Sequence, residues 1–223
     1  IKNLIDRKIL YTYDKEVGRL NNGGETHFEN IKQLNKFQAK AFDEINSQFE
    51  EKKVVLLHGV TSSGKTEIYI HLIKKALEEH KQVLYLLPEI ALTVQIMERL
   101  KRVFGDRLGI YHSKYSDAER VEIWNKQLSD SHYDVILGAR SAVFLPFTNL
   151  GLVIIDEEHE TSFKQQDPAP RYHARSAAIV LAGMYGAKTL LGTATPSMES
   201  YYNAQQGKYG LVELKKRFAG IEL

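Results

Sequence analysis

The run Val54-Val55-Leu56-Leu57-His58-Gly59-Val60-Thr61-Ser62-Ser63-Gly64-Lys65-Thr66 leaves this chain little freedom in what it folds into. Branched apolar residues, the pattern of a buried strand, lead straight into Gly-x-x-x-x-Gly-Lys-Thr. The following Glu67–Leu77 carries apolar residues at helical spacing. Strand, glycine-flanked loop and helix is the context that a phosphate-binding loop requires. Gly59 and Gly64 let the backbone curl, so that the N–H groups of Val60, Thr61, Ser62 and Ser63 point inward at phosphate oxygens. Lys65 brings a compact positive charge to the β- and γ-phosphates, and Thr66 offers a hydroxyl to Mg²⁺. The opening helix adds the positive end of its dipole. These residues imply a nucleoside triphosphate site.

Around this loop the pattern alternates. Asn35 is placed to cap a helix with Phe37, Ala41, Ile45 and Phe49 on one face and Gln38 three residues after the cap. Strands are expected at 83–87, 108–112, 134–138, 151–155 and 188–191. Helices are expected from about Glu89 to Phe104, from Ser116-Asp117-Ala118-Glu119 to Leu128, from about Ala174 to Tyr185, and from Pro196 onward. Continuous apolar strands between amphipathic helices mean an α/β fold, a parallel sheet covered on both faces, with ligands at the carboxyl ends of its strands. Residues 1–30 differ. Ile1, Leu4 and Ile5 sit at helical spacing, 8–13 reads as a strand, and 21–26 as a turn. They read either as the tail of a preceding domain plus linker, with the lobe proper at 31–223, or as a decoration of that lobe. A start at Ile1 reads as an excised fragment.

The second informative stretch is Val153-Ile154-Ile155-Asp156-Glu157-Glu158-His159. An apolar strand ending in Asp-Glu sets Asp156 where it can hold Mg²⁺ through water, and Glu157 where it can deprotonate an attacking water. The adjacent Glu favours hydrolysis over a kinase. The absence of Asn-Lys-x-Asp favours ATP over GTP. Gln38 has an amide suited to reading adenine or to capping its own helix. Gly192-Thr193-Ala194-Thr195-Pro196 either senses the γ-phosphate or forms a plain capped turn, and His159 is either a coupling residue or part of a solvated turn. A net charge of only +2, from 30 basic and 28 acidic residues, leaves nucleic-acid binding to local patches. With no cysteine there is neither a disulfide nor a Cys-based metal site, which suits a reducing cytosol. No apolar run is long enough to span a membrane.

Gly-Lys-Thr, Asp-Glu-Glu-His and Gly-Thr-Ala-Thr-Pro, in this order, resemble the first motor lobe of superfamily 2 helicases. Leu87-Pro88-Glu89-Ile90-Ala91-Leu92-Thr93, Gly138-Ala139-Arg140-Ser141-Ala142-Val143-Phe144 and Arg171-Tyr172-His173-Ala174-Arg175 narrow the resemblance to the PriA (primosomal protein N′) family of replication-restart helicases, over roughly 34–214. One departure is Ser62, where that family more often has Gly. The resemblance implies a RecA-like phosphate-loop NTPase lobe, a bacterial cytoplasmic protein, and ATP-driven 3′-to-5′ movement on DNA. Single-stranded and forked DNA and replication-restart proteins would be its partners. An upstream DNA-end-binding domain, and a second lobe with an arginine finger and a zinc module, would lie outside this chain, and residues 1–30 resemble only the tail of a winged-helix domain. His159, Thr193 and Thr195 would couple hydrolysis to movement. DNA would meet Thr93, Arg140 and Ser141, and a loop carrying Phe163, Lys164, Arg171, Tyr172 and Arg175, whose aromatics among cations suit a single strand. A surface loop with its aromatics tucked inward is the alternative. A small-acceptor kinase or a non-catalytic nucleotide switch are the other readings of the whole chain.

Overall fold

The computed structural model of the protein describes residues 25–112 and 115–215. Its strands are β1 Val54–Gly59, β2 Gln82–Leu86, β3 Leu108–Tyr111, β4 Val135–Gly138, β5 Leu150–Asp156, β6 Lys188–Thr193 and β7 Gly210–Leu214. The helices are α1 Lys36–Glu51, α2 Lys65–Glu78, α3 Val94–Phe104, α4 Asp117–Leu128, α5 Ala174–Tyr185 and α6 Met198–Gln205. The strands form one parallel sheet in the order β3-β4-β2-β5-β6-β1-β7.

Successive strand residues point to opposite faces, so strands apolar throughout need cover on both. Val55, Leu57, Val83, Tyr85, Ile154 and Leu190 pack against α1, α2 and α3. Leu56, Leu84, Ile136, Val153, Ile155 and Leu191 pack against the side carrying α4, α5 and α6. Each such fully buried side chain contributes about 1.5–3 kcal/mol, against about 1 kcal/mol for a helix cap. The central strands therefore dominate the stability of the lobe, and caps mainly fix where helices start.

Two starts follow the expected capping boxes. Asn35 Oδ1 accepts from Gln38 N at 3.0 Å while Gln38 Oε1 accepts from Asn35 N at 2.9 Å, and Ser116 and Glu119 exchange the same pair of bonds. Two other starts differ from expectation. A 3-10 turn at Glu89–Ala91 precedes α3, which begins only at Val94 with Thr93 as cap. Buried Leu92 turns the chain inward between them. Likewise α6 starts at Met198, because the Ser197 hydroxyl takes the cap and leaves Pro196 outside. The sequence reading also missed β7, a short edge strand in which buried Gly210, Val212 and Leu214 alternate with half-buried Leu211 and exposed Glu213. It pairs with β1, and Val60 N donates to Leu214 O at 3.1 Å.

The helix and strand expected within residues 1–13, and the turn at 21–24, lie outside the described residues. Residues 26–28, expected in a linker, pack on the end of α3. Thr26 Oγ1 donates to Phe104 O at 3.2 Å, His27 N donates to Val103 O at 2.9 Å, and the Phe28 ring meets Phe104 edge-on. With every strand parallel, Gly59, Leu86, Gly138, Asp156 and Thr193 all end at one edge of the sheet.

Candidate active site

At that edge β1 hands over to α2 through residues 60–64. Gly64 (φ 80°) and Ser62 (φ 61°) both adopt the left-handed conformation. This explains why glycine suits position 62: a side chain there costs about 1–2 kcal/mol. No side chain caps α2, so its N-terminal end faces the loop. Lys65 is buried, and its Nζ donates to Gly59 O at 3.0 Å and lies 3.9 Å from Glu157 Oε1. Ser63 Oγ is buried with no hydrogen-bond partner among the described residues. A Cβ on Gly59 would stand 3.1 Å from that hydroxyl and 3.2 Å from Lys65. The loop thus keeps an inward cradle clear and supplies it with one cation and one free hydroxyl, which fits a polyphosphate.

Gln38 lies under this loop rather than facing a ligand. It is fully buried, and beyond its capping bond its Nε2 donates to Ser63 O (3.3 Å) and Gly64 O (3.2 Å). Both ends of its amide are committed to the protein, so the adenine contact expected of it gives way to bracing the loop.

Across β6 stands Asp156. Its Oδ1 accepts from the Tyr69 hydroxyl at 2.9 Å and from Glu157 N at 3.1 Å. Burial, and then the charge of Glu157, push its pKa up to about 6, against the opposing pull of Tyr69, Lys65 and the Glu157 N–H. Tyr69, one turn beyond Thr66 on α2, was missed from sequence because it looks like one more core aromatic. Its hydroxyl reaches Asp156 only because position 192 is Gly, where a Cβ would fall 1.8 Å from the Tyr69 oxygen. One carboxylate and the Thr66 hydroxyl suit Mg²⁺, which keeps several waters and is usually held through one or two carboxylates.

Glu157 has φ 46°, a left-handed conformation with a side chain, which costs about 1–3 kcal/mol. The turn is held by the Glu157 N–H on Asp156 and by Glu158 N donating to Gly192 O at 3.1 Å. The carboxylate then stands between two cationic or titratable groups, with Oε1 3.9 Å from Lys65 Nζ and Oε2 3.7 Å from His159 Nδ1. His159 reaches the end of β6, with Nδ1 2.8 Å from Thr193 Oγ1 and Nε2 3.3 Å from Thr195 Oγ1. Thr193 Oγ1 also accepts from Thr195 N at 3.0 Å. His159, Thr193 and Thr195, singled out from separate stretches, form one contact chain.

The residues expected to meet DNA divide. Thr93, Ser141, Lys164 and Arg171 are exposed. Arg140 Nη1 donates to the carbonyls of Ser162 (3.1 Å) and Lys164 (3.4 Å), which joins the turn after β4 to the long loop. Together with Pro88 and Ser141 it lines a small cleft of about 80 Å³. Two expectations are corrected. Phe163, 1% exposed, is a core residue held by the apolar cluster under α5. Arg175 turns inward, its Nη1 donating to Glu158 Oε2 at 2.6 Å and to Ser197 Oγ at 2.7 Å. Tyr172 is half-buried and packs edge-on at 4.8 Å against Phe144, which is 52% exposed and was not among the expected contacts. Its place in the turn that begins at Arg140 was the available signal.

A model of the DEAD/DEAH box helicase family matches residues 35–204, which include the phosphate loop, the Asp156–His159 turn and the Thr193–Thr195 strand end. The chain belongs to the DEAD/DEAH box helicase family. This helicase lobe is similar to the replication restart protein PriA of Bacillus subtilis, with 47% identity over 182 residues covering 81% of this chain and 22% of that protein. It is similar to the same protein of Haemophilus influenzae, with 47% identity over 201 residues covering 89% of this chain and 27% of that protein. The chain spans about a quarter of the length of these curated relatives. Among solved structures, the DUF1998 helicase MrfA bound to DNA superposes with a TM-score of 0.54 at 18% identity, over 83% of this chain and 26% of that one. The DNA-bound Type ISP restriction-modification enzyme LlaBIII superposes with a TM-score of 0.53 at 19% identity, over 74% of this chain and 13% of that one. These likenesses show the RecA-like fold of the helicase lobe. Among the described residues no helix is long and apolar enough to cross a membrane.

Proposed function

We propose that this lobe is the ATP-binding first motor lobe of a DNA-dependent ATPase, a 3′-to-5′ helicase that acts in restart of stalled replication forks. The observation that carries the reading is the placement of Glu157 between Lys65 and His159, with His159 bonded in turn to both Thr193 and Thr195. A kinase would instead set its base against the hydroxyl of a bound acceptor.

In this reading residues 59–66 bind and orient the triphosphate, and Ser63 Oγ supplies one of its donors. Asp156 and Thr66 would hold Mg²⁺, which neutralises phosphate charge when bound. Glu157 accepts the proton of the attacking water. His159 passes the position of Glu157 to Thr193 and Thr195 at the start of the segment leading into α6. DNA, single-stranded or forked, would lie along the same edge over Thr93, Ser141, Lys164, Arg171 and the Phe144–Tyr172 pair. The similarity to PriA proteins supports replication-restart proteins as partners, a bacterial cytoplasmic setting, and zinc only outside this chain. Residues 1–30 would be the end of a preceding winged-helix-like unit and its linker.

The test is steady-state phosphate release by the full-length protein with no DNA, with single-stranded DNA and with forked DNA, alongside strand displacement on a fork. Phosphate release stimulated by DNA, with displacement in the 3′-to-5′ sense, is expected. ATP consumption that appears only as a phosphorylated small acceptor would favour the kinase. Binding without turnover would favour the switch.

A further inference from the structure

The carboxylate of Glu158 takes no part in the reaction as described so far, yet it is fully buried and fully engaged. Its Oε2 accepts from Arg175 Nη1 (2.6 Å), Ser200 Oγ (2.8 Å) and Ser197 Oγ (3.0 Å), and its Oε1 accepts from Ser197 N (2.7 Å). Arg175 also donates to Ser197 Oγ (2.7 Å), and its Nη2 lies 3.7 Å from Glu199. Three segments meet on this one side chain: the turn after β5, the start of α5 where the long loop ends, and the start of α6.

Burying a charged pair is a poor route to stability, since both ions lose water and apolar residues of the same size often serve as well. Such a pair does impose direction and distance, which an apolar contact does not. Its location gives that geometry a use. Glu157, the residue before it, holds a left-handed conformation that persists only when its surroundings over-determine it. His159, the residue after it, makes the contacts to Thr193 and Thr195.

We infer that the Glu158–Arg175 pair is a positioning device: by fastening the turn to α5 and α6 it sets where Glu157 stands between Lys65 and His159. Neither residue touches the reacting atoms. The inference rests on the reading of Glu157 as the base. It also gives a role in the reaction to Arg175, which the sequence suggested as a DNA contact.

The test compares Glu158→Gln/Arg175→Met with the wild type in the full-length protein. The double variant removes both charges at nearly unchanged volume and leaves no lone buried ion. Three quantities are read: kcat at saturating single-stranded DNA, Kd for Mg·ATP, and Tm. Misplacing a catalytic group by about 1 Å costs about 10²-fold, so kcat should fall on that order while Kd stays within about threefold and the protein melts cooperatively. Arg175→Lys, which keeps the charge but loses the two-armed reach, should recover part of the rate. A folded double variant with wild-type kcat overturns the inference, as does a Kd that weakens in step with kcat. Should the double variant fail to fold, a folded Arg175→Lys with wild-type kcat overturns it equally. A wild-type protein that does not hydrolyse ATP at all overturns the reading of Glu157 itself, and is seen before any variant is made.

Discussion

The Tyr69 hydroxyl donates to Asp156 Oδ1 at 2.9 Å through a gap that exists only because position 192 has no side chain. This contact ties the helix that opens at the phosphate loop to the carboxylate assigned to the metal. Gly192→Ala should force the two apart and destabilise the lobe by about 1–3 kcal/mol, the usual cost of overpacking. Removing the hydroxyl with Tyr69→Phe should return part of that loss. Thermal melts of the two single variants and the double one measure the coupling, and simple additivity would mean the gap does not serve this contact.

Lys65→Ala should weaken ATP binding about 10–150-fold, the worth of a charged hydrogen bond of about 1.5–3 kcal/mol. The ammonium is the one side-chain charge inside the loop, and it is already held there by Gly59 O. Calorimetric titration with Mg·ATP decides the point, since undiminished affinity removes Lys65 from the site.

The two carboxylates should separate by role. Glu157→Gln should keep Mg·ATP bound but slow turnover about 10²–10⁴-fold. Asp156→Asn should instead lose Mg²⁺-dependent binding while stabilising the metal-free lobe. The folded pKa of Asp156, about 6, lies above its unfolded value of about 3.9. The folded state therefore holds the extra proton, and wild-type stability falls as pH rises through that window. The carboxylate is partly reached by solvent, which reduces the effect to about 1–3 kcal/mol in favour of Asn above pH 6, vanishing toward pH 4. Denaturant melts of wild type and Asp156→Asn across this range check it, and a constant difference would contradict the assignment.

Phe163→Ala should cost about 3–5 kcal/mol, as expected of a core aromatic. Phe144→Ala should cost about 1 kcal/mol, the worth of its edge contact with Tyr172, but lower DNA stimulation of the full-length ATPase. Equal stimulation by Phe144→Ala and wild type would remove the aromatic pair from the DNA path.

Three arginines near the nucleotide edge are engaged elsewhere: Arg175 with Glu158, Arg140 with loop carbonyls, Arg99 with Glu67. An arginine finger supplied by a second lobe is worth about 10³–10⁵ in rate, so this 223-residue chain by itself should hydrolyse ATP slowly and respond little to DNA. Phosphate release by the chain beside the full-length protein tests this, and matching rates would place the finger within it.

The sequence was most readable where the chemistry is carried by backbone shape or by continuous apolar runs. The phosphate loop, the Asp156–Glu157 strand end and the inner strands all announce themselves in this way. It misled wherever a side chain's direction decides. Phe163 and Arg175 sit among polar loop residues and read as outward, but one fills the core and the other has a buried carboxylate waiting for it. Gln38 carried two readings, and the capping geometry took it. The start of α3 slipped because Leu92 prefers the core and Thr93 offers a cap, both local preferences that periodicity over a longer window averages away. No periodicity reveals Tyr69, because its role depends on an absent side chain on another strand.

The order of the strands has a consequence for how the lobe is made. β1, which delivers the phosphate loop, is flanked only by β6 and β7, with Val54 beside Thr189 and Val55 beside Gly210. Among the described strands it comes first along the chain and waits longest for a neighbour, since β6 and β7 are the last two. Contacts this distant along the chain are slow to form, so the nascent lobe must carry an unpaired apolar strand through most of its synthesis. The strand that delivers the nucleotide loop thus gains both its neighbours only once β6 and β7 have been made, and a ligand for that loop would reward the chains that have reached β7.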